Sequence, residues 1–116
     1  SNEVKIALLG VDPESLNRYG AVSQSVAEQM AEGVRRATGA TYGISTTGIA
    51  GPTGGTPEKP VGTVWMAVAT PNGVFSRRMV FGSVRSQNIE RASSNCINLL
   101  RLQLLGLGDL PLCDNV

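Results

Sequence analysis

The sequence has 116 residues, 10 basic and 9 acidic side chains and no histidine, and is 41% hydrophobic against 16% charged. That length suits one hydrophobic core, and the composition, with a mean hydropathy of +0.02, is too apolar for a disordered chain. A net charge of +1 without a run of like charge offers no electrostatic pull on nucleic acid or a membrane surface. No apolar stretch has spanning length, and the missing histidine excludes Ser-His-Asp and Cys-His catalysis within these residues.

Along the chain, Val4, Ala7 and Leu8 fall at helical spacing, predicting a short helix over residues 2–9 that Gly10 stops. Asp12-Pro13-Glu14 then reads as an N-cap followed by proline at the first helical position, running to Tyr19 and Gly20. The strongest local signal follows. Val22, Val26, Met30 and Val34 recur every four residues, with Ala27, Ala31 and Ala37 beside them. This predicts a helix over 23–38, with Ser23 as its N-cap, a capping box between Ser25 and Glu28, and Gly39 as its stop.

Residues 42–47 alternate as a strand does, and 61–69 form a nearly continuous apolar run, the mark of a central strand covered on both faces. Pro71-Asn72-Gly73 makes a hairpin turn into a third strand over 74–81, where Arg77 and Arg78 point to opposite faces. A last helix begins near Ser86 or Asn88 and places Ile89, Ala92, Cys96, Leu99 and Leu100 on one stripe toward Leu104. The predicted fold class is α/β, a layered α/β/α sandwich with helices packed on a mixed sheet. Three strands are few for the helices that must cover them, so a first helix and strand are expected to be missing. The domain is assigned to residues 1–105, with an irregular tail over 106–116. Cys96 and Cys113 read as reduced thiols of a cytoplasmic protein rather than a disulfide framework.

Chemistry concentrates between the first two strands. Residues 48–60 hold four glycines and three prolines and can be neither helix nor strand interior. Gly48 and Gly51 follow a strand directly, where backbone N–H groups form a nest for phosphate or an oxyanion. The hydroxyls of Thr46, Thr47, Thr53 and Thr56 and the charge of Lys59 stand beside them. Neither a Walker A nor a dinucleotide-binding fingerprint is present. Read as pattern, the loop is either a ligand cradle or a long hairpin connection using glycine and proline for turns. Arg85 and Arg91 flank the start of the last helix, where a guanidinium can hold an anion. Taken alone, Lys5, Arg85, Arg91 and the Arg35–Arg36 and Arg77–Arg78 pairs read as solvated side chains.

Thr47-Gly48-Ile49-Ala50-Gly51-Pro52, then Gly54-Gly55 and Pro57-Glu58-Lys59-Pro60-Val61-Gly62-Thr63-Val64, resembles the hallmark of the CinA C-terminal domain family. Ser1-Asn2-Glu3 with Lys5, Tyr19-Gly20-Ala21-Val22-Ser23 with Met30-Ala31-Glu32-Gly33, and Phe81 with Arg85 and Ile89 agree with it, although the usual Gly-Asp-Arg is Ser83-Val84-Arg85 here. The resemblance implies a nicotinamide-nucleotide amidohydrolase, which converts the carboxamide of nicotinamide mononucleotide to the acid and ammonia with no metal or other cofactor. It implies Lys5 as the base, and Thr46, Thr47, Gly48, Ile49, Ala50, Gly51, Lys59 and Arg85 around the nucleotide. The family's serine nucleophile lies in a Glu-Ser-Cys-Thr-Gly-Gly segment that the 116 residues do not contain. The expected partners are the nucleotide and further copies of the chain in a homo-oligomer, without nucleic acid or membrane. A non-catalytic nucleotide-binding or assembly module, or a protein acting in competence or DNA damage, is the alternative.

Overall fold

The computed structural model describes residues 2–82 and 84–106. Its elements are α1 (Asn2–Leu9), α2 (Pro13–Tyr19), α3 (Gln24–Thr38), β1 (Gly43–Gly48), β2 (Thr63–Thr70), β3 (Gly73–Val80) and α4 (Arg85–Leu104). The predicted elements are all present, α1 with its expected bounds and no end of the others shifted by more than three residues. Cys113 and most of the tail lie outside the described residues.

Local chemistry sets the helix ends. Asp12 caps α2, its Oδ1 accepting from the Glu14 amide at 3.1 Å. Ser23 caps α3, its Oγ accepting from the Val26 amide at 3.3 Å. The capping box does not form. Ser25 donates instead to Ser15 Oγ, and Glu28 accepts from Gln24 and, across to the sheet, from Ser76. α3 ends at Gly39 with a φ of +69°, the left-handed cap that lacks a Cβ penalty.

The sheet has the order β1-β2-β3. Both pairings are antiparallel, with Ile44 opposite Val68 and Val68 opposite Phe75. The three strands therefore form a meander, not the mixed sheet expected, because each pair is joined by a hairpin rather than by a crossover helix. The class, α/β with helices layered on a sheet, stands. β2 is central and buried on both faces, as its apolar run required. Its Val64, Met66 and Val68 pack with Met79 against Ala92, Cys96 and Leu99 of α4. Its Ala67 and Ala69 pack on the other face against Ala27 and Ala31 of α3. Small alanines there let α3 sit close, and the Ser45 hydroxyl donates to the Ala27 carbonyl at 2.6 Å.

Two apolar stripes are placed differently from expectation. On α1, Val4 is 48% and Leu8 67% exposed, so this helix buries no residue fully. On α4 the buried stripe is Asn88, Ala92, Cys96, Leu99 and Leu102, and Ile89 and Leu104 are exposed. Arg77 is half-buried and Arg78 exposed, in keeping with their opposite faces. The described ion pair, Arg36 to Glu32 at 3.7 Å, is exposed and contributes little.

The Cys96 thiol is buried beneath β1, and its Sγ donates to the Ser45 carbonyl at 3.6 Å. Burial pushes its pKa from 9.0 to about 11. A raised folded-state value means that the thiol stays neutral in the fold while the unfolded chain ionises first. Stability from this group is therefore full below pH 9.0 and is lost as pH rises toward about 11. Iodoacetamide at neutral pH is expected to spare Cys96 in the folded protein and to modify it in urea, as read by peptide mass. Rapid labelling of folded protein would mean that α4 opens from the sheet.

Candidate functional site

The site lies where the end of β1, the loop after it and the first turns of α4 meet. Period-two alternation sends Thr46 and Gly48 toward α4, the face on which Val64 and Met66 lie opposite them. Ser45 and Thr47 turn to the other face, and Thr47 Oγ1 donates to the Ala21 carbonyl at 2.9 Å. The loop is pinched at its base. The Ile49 amide donates to the Thr63 carbonyl at 2.9 Å, and the Gly62 amide to the Ile49 carbonyl at 2.7 Å. Beyond the pinch the peptide between Gly51 and Pro52 is cis.

From the opposite side α4 holds this segment through polar groups. Asn88 Nδ2 donates to the carbonyls of Ala50 at 2.9 Å and Gly82 at 2.7 Å. Arg85, an exposed residue, reaches the Gly51 carbonyl through Nη1 at 3.4 Å. Among the described residues no side chain caps the α4 N-terminus. Between the strand end and the helix lies a cavity of about 150 Å³, lined by Thr46, Thr47, Gly48, Ala50, Val64, Asn88, Ile89, Ala92 and Ser93. Its walls are mostly apolar, with a few hydroxyls and one buried amide, the usual makeup of a small-molecule site.

The structure thus brings Thr46, Thr47, Gly48 and Ala50 together at one cavity, with Ile49 fixing the loop base and Gly51 tied to Arg85. Two of the sequence candidates stand apart. Lys59 Nζ donates to the Tyr19 carbonyl, so this lysine clips the loop to the C-terminal end of α2. Its backbone closes the loop tip, with Thr56 N bonding to Lys59 O at 2.9 Å and Lys59 N to Thr56 Oγ1 at 3.0 Å. Lys5 is half-buried on α1, which packs on α3, across the sheet from the cavity. Asn88 is the residue that the sequence reading missed as a site group. The signal was available: it stands one helical repeat before Ala92 and two before Cys96, a polar side chain at the head of a buried stripe. Among the described residues no three His, Cys, Asp or Glu side chains gather as a metal site. No helix among them is long and apolar enough to cross a membrane.

The comparisons agree on one family. The sequence profile described as the CinA C-terminal domain matches residues 1–104. A CinA-like protein of Salinibacter ruber is 51% identical over 104 residues, which is 90% of this chain and 25% of that protein. A CinA-like protein of a Cyanothece strain is 52% identical over 109 residues, 92% of this chain and 26% of the relative. The crystal structure of the competence/damage inducible protein CihA of Agrobacterium tumefaciens superposes with a TM-score of 0.80 at 38% identity, covering 89% of this chain and 64% of the other. The competence damage-inducible protein A of Klebsiella pneumoniae gives 0.85 at 31% identity, over 90% and 65%. The chain therefore spans about a quarter of the curated relatives it matches and about two thirds of the solved domains. A profile match over residues 1–104 of 116, together with these relatives, shows that the chain belongs to the CinA C-terminal domain family.

Proposed function

We propose that the chain carries the nucleotide-holding part of an amidohydrolase that acts on the carboxamide of nicotinamide mononucleotide. The observation that carries this reading is the cavity of about 150 Å³ where β1 ends, joined through the Ala50–Gly51 carbonyls to Asn88 and Arg85. Apolar walls and a few polar groups suit a planar heteroaromatic ring. The exposed Arg85 side chain and the first-turn amides of α4, uncapped among the described residues, suit its phosphate. Lys5 is the proposed base for a serine nucleophile; because it stands across the sheet from this cavity, it would serve a ligand held here only from a second copy of the chain in the expected homo-oligomer. The nucleotide is the proposed partner, and the cytoplasm, where such nucleotides are found, the proposed compartment.

Hydrolysis adds water across the C–N bond of the amide. The serine oxygen displaces ammonia to leave an acyl ester, and water then releases the acid. Both steps need the serine, and the 116 residues contain no Glu-Ser-Cys-Thr-Gly-Gly segment to supply it. A polypeptide of these residues is therefore expected to bind the mononucleotide and to release no ammonia from it, in a coupled ammonia assay beside a calorimetric titration. Ammonia release by this polypeptide would overturn the Ser/Lys reading. Absence of any binding heat would overturn the assignment of the cavity.

A further inference from the structure

β1 pairs with β2 on one side and, among the described residues, with no strand on the other. The residue after it, Ile49, turns its amide toward β2 and donates to Thr63 O at 2.9 Å. Counting back by twos, Thr47 and Ser45 also direct their backbone groups at β2, so Ile44, Thr46 and Gly48 direct N–H and C=O to the open side. Proteins blunt an open edge with charge or proline, because the unpaired row otherwise recruits another strand. β3, the opposite edge, carries Arg77 and Arg78. β1 carries no charge and no proline. Beside its open row lies a groove of about 260 Å³, lined by Ile44, Ser45, Thr46, Ser93, Cys96 and Ile97. Ile44 is 39% and Ile97 62% exposed. The groove asks for apolar side chains and the edge for backbone partners. One extended segment meets both demands, whereas a helix would leave the outward amides unpaired.

We infer that β1 receives a further strand along its open edge, and that this strand belongs to the part of the CinA domain that the 116 residues do not span. The match with the Klebsiella pneumoniae protein takes in 90% of this chain and only 65% of that one, so about a third of the relative has no counterpart here. The occupant is uncharged, matches the six residues of β1 in length, and turns apolar side chains at alternate positions toward α4. The sheet grows to four strands, and Ile44 and Ile97 gain cover. Thr46 lines both this groove and the cavity of about 150 Å³. The added strand therefore also walls the candidate site on its open side.

The probes are overlapping peptides of about 12 residues, each long enough for one strand, that tile the unmatched third of the Klebsiella pneumoniae protein. Each is added at millimolar concentration to the 116-residue protein, and amide exchange is read from nitrogen-15 spectra. Without peptide, Ile44, Thr46 and Gly48 are expected to exchange at least tenfold faster than Ser45 and Thr47. One peptide, or two that overlap, should slow those outward amides about tenfold and leave β3 unchanged. Ile97→Asp, at an exposed position of α4, should abolish the slowing without moving the midpoint of thermal unfolding. If no peptide slows the outward amides, the inference fails. Slow exchange that sets in without peptide as protein concentration rises would assign the edge to a second copy of the chain and overturn it too. Slowing that survives Ile97→Asp would overturn the groove as the seat of the strand.

Discussion

Gly33→Ala is expected to release α1 from α3 while the sheet and α4 stay folded. A Cβ at Gly33 would lie 1.8 Å from the Leu9 carbonyl oxygen and 2.6 Å from its carbon, so two backbones would have to occupy the same space. No rotamer relieves an overlap with backbone. Holding both helices in place would cost about 3 kcal/mol or more. Letting α1 go costs less, because it buries no residue fully, and an isolated helix of this length is marginal in water. Hydrogen exchange should show amide protection across Asn2–Leu9 falling about 100-fold, the equivalent of ~3 kcal/mol of docking. Residues in β2 should stay the best protected, and the midpoint of thermal unfolding should fall by roughly 10–20 °C, as a loss of about 3 kcal/mol requires. Unchanged protection in α1 would mean that α3 bends instead. In the proposed amidohydrolase the same substitution would set Lys5 adrift, so activity should be lost in a protein that remains folded.

The second large effect belongs to Gly62. Its φ of +93° lies in the region that side chains rarely adopt, and a Cβ there would sit 2.4 Å from the Phe81 carbonyl oxygen and 2.6 Å from that of Gly82. The residue also donates to Ile49 O at 2.7 Å and accepts from the Phe81 amide at 2.8 Å. Gly62→Ala therefore combines backbone strain of about 1–3 kcal/mol with an overlap of about 1–3 kcal/mol. The sum rivals the whole stability of many small domains, about 5 kcal/mol at the low end. Urea unfolding followed by Trp65 fluorescence should show a midpoint far below the parent's, or no folded baseline. Here the loss is global, in contrast to Gly33, because the strain falls at the joint between the loop, β2 and β3. A midpoint within experimental error of the parent's would show that the loop base relaxes freely.

How much of this was legible in the sequence varies with the kind of interaction. The central place of β2 was legible because a strand covered on both faces must be apolar at every step, and that pattern is local. So was the Ser23 cap, a bond spanning three residues. The meander was half-legible: Pro71-Asn72-Gly73 announced one hairpin, whereas the longer loop between β1 and β2 read equally well as a ligand cradle or as a long hairpin connection, and only the structure shows its strands paired antiparallel. The site was legible as a place but not as a set of roles. Thr46 and Thr47 were grouped as equal hydroxyl donors, yet alternation alone puts them on opposite faces, and only Thr46 turns toward α4. Lys59 was taken for a ligand group because a cation beside glycines suggests an anion. Its bond to Tyr19 O spans 40 positions and leaves no trace in spacing. Asn88 was passed over because a polar residue in a helical stripe reads as an interruption until its partners are known.

The pinch at the foot of the loop has a consequence for how such a chain tolerates change. Because the Ile49–Thr63 and Gly62–Ile49 bonds close the segment at its foot, the sheet does not depend on what lies further out. Residues 52–58 are exposed throughout, and each doubling of a flexible connection costs only about 0.6 kcal/mol. An insertion or a protease recognition sequence is best tolerated at Thr53–Gly54, ahead of Gly55, which packs on Val61, and of the Thr56–Lys59 closure, while the foot admits no such exchange. The domain thus carries a short handle for engineering that lies outside the bonds joining the loop to β1 and β2.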